Sequence, residues 1–502
     1  MRVMNWGSLL WLGLAGMGCG GSPGEEVSGE FVLPLAEAAP ATTVKEDSRQ
    51  VTAQACPEGV ASRVRDIMTP GLGGFMGELT NVQGTLYFVT STFGSDAILW
   101  RSDGTEAGTS PVKVFPSVPE GFSQPTDLVA VGNRLFFQIS STATGNELWV
   151  SDGTEAGTRL VEDITPGPER SWIYSPTDIN GRLVFFRYVP VPGGEALPEL
   201  WRSDGTAAGT LRVRNFSAFS GLDYDTLKVG NALLFSFGQS TGTTLWRTDG
   251  TLAGTTAIKR LDSGPVDIAQ VNRTGDPGVF ILRDGPNYEV WRTNGTETGT
   301  FRLDSFGRYV GLIGTLGSSV YLHSLDNPTT KRLRIDRLSL NGGGKTGITT
   351  LPNPYGAGED AYPYVQNTTV SGGDLYFSMA IGSAGPSPVN VSLWATNGTA
   401  AGTRKLYDTL SLGDEYWSPV FATGTGQVLF GANAAGSGSI LPYFTRGSVA
   451  TTGRLASVYV PDSFTRVGNR IFFTAVDDTG LRQLWSVPAT FTCPPGPAVQ
   501  QE

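Results

Sequence analysis

A single histidine, His323, and only three cysteines stand in 502 residues. One histidine leaves almost no room for a histidine-based triad, a histidine metal site or a histidine general base. Charged residues make up only 16% of the chain, the net charge is -10, and lysine and arginine form no cluster. Phosphate backbones are bound by gathered basic groups, so nucleic acid is excluded as an expected partner. No stretch sustains a 3.6-residue apolar period, which removes helical bundles from consideration.

What is abundant is punctuation. The chain holds 67 glycines and 31 prolines. Between them lie short runs of Leu, Val, Phe and Tyr bounded by Gly, Asn, Asp and Pro, the pattern of an all-β protein. Six segments repeat one theme: LWRSDGTEAGT at 99–109, LWVSDGTEAGT at 148–158, LWRSDGTAAGT at 200–210, LWRTDGTLAGT at 245–255, VWRTNGTETGT at 290–300 and LWATNGTAAGT at 393–403. Their tryptophans are Trp100, Trp149, Trp201, Trp246, Trp291 and Trp394. The first five recur every ~45–52 residues, within the range of propeller repeats. Longer gaps before Trp394 and before Trp485 leave room for units that have lost the motif, around 335–348 and 440–455.

A second marker gives nine units: TLYF at 85–88, RLFF at 134–137, LVFF at 183–186, ALLF at 232–235, GVFI at 278–281, SVYL at 319–322, DLYF at 374–377, QVLF at 427–430 and RIFF at 470–473. Residues 126–165 parse as four strands joined by a Gly132-Asn133 turn, a variable loop and an Asp152-Gly153 turn. Such turns tolerate positive φ and close hairpins. The expected fold is therefore a single large β-propeller of about nine four-stranded blades, eight being the alternative. SRVRDIMTPG at 62–71 copies the fourth strand TRLVEDITPG at 158–167, while the last unit stops after Trp485–Val487. The early strand should complete the last blade and close the ring. Cys56 and Cys493 flank that closure, so a disulfide between them is expected, the alternative being two free thiols.

Residues 1–18 carry Arg2, an apolar stretch from Leu9 to Leu14, and small residues leading to Cys19. This reads as a signal peptide, too short for a membrane span. It resembles a bacterial lipobox, although Gly16 stands where that motif usually has Leu. The resemblance implies acylation of Cys19, and Gly20 after it implies the outer membrane, with a fully secreted product as the alternative. Residues 19–55 read as a flexible tether, 56–493 as the propeller and 494–502 as a tail.

ELWVSDGTEAGT closely resembles the signature of the bacterial ELWxxDGT-repeat proteins, over roughly 56–493. That resemblance implies a secreted, β-rich repeat protein of the kind found in myxobacterial envelopes, and no settled enzymatic activity.

Candidate chemistry is sparse. Asp103, Asp152, Asp204 and Asp249 could form repeated Ca²⁺ sites with Thr105, Thr154, Thr206 and Thr251, but turn chemistry is the favoured reading, since Asn294 and Asn397 replace two of them. No cofactor is expected. The motif tryptophans are expected between blades, not as a sugar platform. NGGGKT at 341–346 lacks the first glycine of a phosphate loop, with Ser339 in its place. No catalytic constellation is visible, so the expectation is a monomer without enzymatic activity: a binding or scaffolding module. A propeller glycan hydrolase or lyase and a structural adhesion component are the alternatives. Its expected binding face is the variable loops between units, through Trp172, Tyr174, Tyr224, Tyr362, Tyr364, Tyr416 and Trp417 with Asp360 and Asp414. An envelope protein or polysaccharide is the expected partner.

Overall fold

The computed structural model describes residues 59–490, apart from 70–73, 93–94, 118–123, 192–195, 217–221, 240–241, 262–266, 272–276, 356–360, 383–389, 409, 411–418, 434–438 and 457. All of these belong to a unit spanning Ala53–Glu502. The expected signal peptide, tether and tail, and Cys19, Cys56, Cys493, Asp360, Asp414, Tyr416 and Trp417, lie outside the described residues.

Nine sheets form a ring of blades, an all-β propeller. Blade one comprises Gly74–Val82, Thr85–Thr92, Ala97–Ser102 and Ser110–Phe115, paired in that order. Blades two to eight follow at 126–160, 173–215, 222–260, 267–306, 311–351, 363–407 and 420–456. Blade nine takes its first three strands from 459–488 and its fourth from Ser62–Arg65, which pairs antiparallel with Arg482–Pro488. The chain therefore closes its own ring as the displaced copy of the fourth strand foretold. One strand was not foreseen: Gly59–Val60 adds a parallel fifth strand to blade eight. Among the described residues the sole helical turn is the 3₁₀ segment Val449–Thr451, and no helix is long and apolar enough to cross a membrane.

First strands of most neighbouring blades pack against one another around the centre, including those of blades nine and one. Second strands are apolar without alternation because a neighbouring blade covers each of their faces. Leu183, Val184, Phe185 and Phe186 are consecutive and all buried. In the predicted Gly132-Asn133 turn only Gly132 takes a positive φ, of 58°, whereas in the next blade Asn180 and Gly181 both do, at 56° and 75°; both arrangements suit two-residue hairpins. In an antiparallel meander the first and third turns of a blade share one face of the ring. Its middle loop and the connection to the next blade share the other.

Candidate functional site

The DGT turns explain themselves from their own atoms. In blade one the Asp103 carboxylate accepts from the Thr105 N–H at 2.9 Å and from its hydroxyl at 2.7 Å. Thr105 Oγ1 in turn accepts from the Gly108 N–H at 2.9 Å, and the Ser102 and Thr109 hydroxyls bond at 2.7 Å. The Thr105 hydroxyl holds the Asp103 carboxyl below its ordinary pKa, as Thr154 does for Asp152. Gly108 is obligatory here, because a Cβ would stand 2.0 Å from Asp103 Oδ1. Asn294 and Asn397 make the same bonds to Thr296 and Thr399 through Oδ1. What the turn uses is an acceptor oxygen, not a charge. Among the described residues no three His, Cys, Asp or Glu side chains gather as a metal would require.

One unit that lost the motif keeps its turn geometry, and another replaces its tryptophan. In blade eight Thr445 stands in register with Ser102, and Thr452 bonds it at 2.8 Å as Thr109 bonds Ser102. Gly447 retains its N–H bond to Thr445 Oγ1 at 3.1 Å. In blade six the tryptophan position is Asp336, opposite Leu322 as Trp100 is opposite Phe88. Asp336 is buried and held by two nitrogens of Arg334 at 2.8–3.0 Å.

Each motif tryptophan lies in the apolar cluster between its own blade and the preceding one. Trp246 meets Phe216, which follows the last strand of blade three, edge-to-face at 5.2 Å. Trp149 meets Phe115 of blade one the same way at 5.5 Å. Within the blade four of them stack on the phenylalanine opposite: Trp100 on Phe88 at 6.0 Å, Trp149 on Phe137 and Trp201 on Phe185 at 6.4 Å, and Trp291 on Phe280 at 6.2 Å.

The loop face differs in character. Among the described residues six aromatic side chains are substantially exposed, between 39% and 47%: Phe75, Trp172, Tyr309, Tyr355, Tyr362 and Tyr459. Every one falls in a connection between blades or at the start of a first strand. Trp172 carries the Arg170 guanidinium 5.5 Å from its ring centre. Tyr309 packs edge-to-face on Tyr288 at 5.4 Å and on His323 at 5.9 Å. Tyr362 lies 6.0 Å from Tyr364. Tyr174 and Tyr364 are half-buried and pack against the cores between blades. Tyr224 falls on the first strand of blade four, its side chain outside the described residues. Sequence reading missed Phe75, Tyr309, Tyr355 and Tyr459. Their common signal is an aromatic at or shortly before the entry to a first strand.

It also missed a pair of carboxyls on the innermost strands. Glu78 and Asp127 occupy bulges at matching places in the first strands of blades one and two, with φ of 58° and 54°. Burial pushes both carboxyls up, and the charge of Asp127 adds to the effect on Glu78. The Leu128 N–H donates to Glu78 at 3.4 Å, and Gln138 donates to Asp127 at 2.7 Å.

No protein-family model and no curated protein matches the chain. Solved structures do. The β-propeller domain of the Trilobed protease from Pyrococcus furiosus aligns at 12% identity with a TM-score of 0.34, over 64% of this chain and 98% of that one. A prolyl endopeptidase aligns at 12% identity and a TM-score of 0.40, over 72% of this chain and 55% of that one. Dipeptidyl peptidase 4 of Porphyromonas gingivalis aligns at 12% identity and a TM-score of 0.48, over 82% of this chain and 64% of that one. The chain thus spans between about half and two thirds of these two peptidases. At such identity the likeness is one of fold. It nonetheless corrects the expectation of a chain without enzymatic activity. That expectation rested on the lack of catalytic motifs in the sequence, whereas the similar solved structures are named as two peptidases and a puromycin hydrolase.

Proposed function

We propose that this protein is an envelope-anchored binding module that engages a protein or polysaccharide partner through the loops between its blades. One observation supports this best: all six exposed aromatics among the described residues lie on the inter-blade loop face, and none on the face of the DGT turns. Exposed rings on a rigid scaffold suit stacking on sugars and anchoring in partner pockets. The anchor would be the acylated Cys19, through the tether of 19–55. In a glycan array and an envelope pull-down, Trp172→Ala/Tyr309→Ala/Tyr362→Ala should lose at least ~10-fold in affinity, about 1.4 kcal/mol, with an unchanged melting temperature. Equal binding by the triple variant and the wild type would remove the assignment.

A glycan hydrolase is the second reading, favoured by Glu78 and Asp127 on adjacent innermost strands with their carboxyls raised by burial. A raised carboxyl can act as general acid beside an ionised partner. Glycan turnover abolished by Glu78→Gln and Asp127→Asn is the outcome that reading requires.

A further inference from the structure

Six arginines lie over an aromatic ring among the described residues. Four of them complete the stack with an oxygen of the protein. Arg63, on Trp485, bonds Asp66. Arg187, on Trp201, donates to Thr165 Oγ1 at 2.7 Å. Arg214, on Trp246, donates to the Thr255 carbonyl at 3.1 Å, and Arg292, on Phe301, to that of Leu340 at 3.0 Å. The other two are Arg170 on Trp172 and Arg283 on Tyr288, and neither has an acceptor among the described residues. Both guanidinium groups are on exposed residues, and both belong to the loop face.

The first pair stands in the connection between blades two and three, on a fastened segment. Buried Glu147 accepts from the Ile164 and Thr165 N–H groups at 3.2 and 3.3 Å and from the Ser171 hydroxyl. The Ser171 N–H donates to the Asn146 carbonyl at 3.1 Å. A Cβ on Gly145 would stand 2.1 Å from the Glu169 carbonyl oxygen, so the backbone is pressed against the blade just before Arg170. Trp172 holds a φ of 47°, a state that non-glycine residues keep only where their surroundings impose it. Glu169 precedes Arg170 and forms no ion pair with it.

The second pair stands where blades five and six meet. Arg283 ends the second strand of blade five, 6.0 Å from the ring centre of Tyr288 at the start of the third. Tyr309, in the connection to blade six, stands at 81° to Tyr288 and at 65° to His323. His323 fits beneath because residue 311 is glycine: a Cβ there would stand 2.2 Å from His323 Nε2. Arg308 lies beside Tyr309 in the chain and reaches only the Asp326 carbonyl, at 3.4 Å. Neighbouring acids are already engaged, the Asp326 carboxylate by Arg332 at 2.8 Å and Glu289 by Arg302 at 2.5 Å.

We propose that the loop face takes an acidic polysaccharide, its carboxylate or sulfate groups completing the stacks of Arg170 and Arg283 while its sugar rings lie on Trp172 and Tyr309. The assignment rests on the loop face being the binding face. A guanidinium held against a ring keeps its planar fork oriented, and that fork matches a carboxylate or sulfate with two parallel hydrogen bonds. The adjoining exposed ring offers an apolar platform for a sugar. The chain as a whole carries a net charge of -10, so these arginines are local exceptions and not part of a basic surface. The same ring-and-guanidinium pair occurs at two separate boundaries of the ring. Such recurrence suits a polymer that repeats one acidic unit.

Binding of the full chain to polygalacturonate, dextran sulfate and uncharged dextran tests this. Wild type should bind at least one of the two acidic polymers at least ~10-fold more tightly than dextran. The stronger of the two names the acid, and either one supports the proposal. Arg170→Gln/Arg283→Gln/Arg308→Gln should lose at least ~10-fold in affinity for that polymer, with an unchanged melting temperature, since all three side chains are exposed. Wild-type binding should also weaken at least ~10-fold between about 50 and 500 mM NaCl, which requires no variant. Dextran bound as tightly as the acidic polymers, no polymer bound at all, or wild-type affinity in the arginine variant would each overturn the acidic-sugar assignment. The ring variant Trp172→Ala/Tyr309→Ala/Tyr362→Ala separates the two readings. If it loses binding while the arginine variant keeps it, the loop face stands and the acidic ligand falls.

Discussion

Arg101 of blade one donates a hydrogen bond from Nη1 to the carbonyl of Gly153, in the DGT turn of blade two, at 3.1 Å. The relation recurs from Arg202 to Gly250 and from Arg247 to Gly295, both at 3.3 Å. Where blade six has lost its motif, Arg292 still finds the matching carbonyl, that of Leu340, at 3.0 Å. Blade two has Val150 in place of the arginine, and there Arg159 reaches Gly205 at 2.8 Å instead. The repeated Arg and Gly of the motif are thus donor and acceptor across one boundary. Arg202→Ala should lower stability by about 0.5–1.5 kcal/mol, a partly buried hydrogen bond to a neutral carbonyl. Urea unfolding measures it, and an unmoved midpoint would deny the bond a stitching role.

The aspartates of the turns should tolerate loss of charge but not loss of the acceptor. Asp152→Asn should change the melting temperature little, since Asn294 and Asn397 already do this work. Asp152→Ala leaves Thr154 without its acceptor, and should cost about 1–2 kcal/mol, as loss of a helix cap does. Equal effects of the two substitutions would point to the charge instead.

Tryptophan-to-phenylalanine changes should separate two blades. Trp201 donates to the buried Glu199 at 2.9 Å, whereas the Trp149 indole N–H is buried without an acceptor. Trp201→Phe should therefore cost more than Trp149→Phe by about 1–2 kcal/mol. Both alanine variants remove a ring from an inter-blade core and should cost about 3–5 kcal/mol. Denaturant midpoints of the four variants decide it.

His323 is buried at 1% exposure with Nε2 unpartnered, and burial lowers its pKa to about 4. The unfolded chain takes up this proton near pH 6.5, before the folded one does. Stability is therefore full above that value and falls as pH drops toward 4, by about 3 kcal/mol in all. His323→Leu should remove this slope and leave stability at pH 7.5 nearly unchanged, since no hydrogen bond of Nε2 is lost. Stability curves against pH for both proteins give the comparison, and an unchanged slope would assign it to other groups.

The ring and its closure were legible because each is written locally and repeatedly. Phe88 and Trp100, and their copies around the ring, recur with hairpin turns at fixed offsets, so strand order followed from spacing. The fourth strand of blade nine could be found because Ser62–Arg65 still resembles the strand it replaces. Of the four loop-face aromatics with described side chains, Trp172 and Tyr362 are exposed and Tyr174 and Tyr364 half-buried. Tyr174 and Tyr364 were harder to place, because strand entry alternates side chains between loop face and core, and only the register decides which way each one goes.

By itself the sequence determined the repeating four-strand unit, the pairing order within it and the turn chemistry, since all three depend on residues close in the chain, while the structure fixed the count at nine. Tertiary structure alone decided which side chains of equal type do different work. Glu147, Glu199 and Gln483 share one position in the repeat, yet one fastens a loop as a buried acid, one anchors an indole beside arginines and one closes the ring as an amide. Their fates depend on Leu160 or Arg212 across a strand, and on a terminal segment more than 400 residues distant in sequence from Gln483. Charge and burial are properties of such assembled surroundings, and no local pattern encodes them.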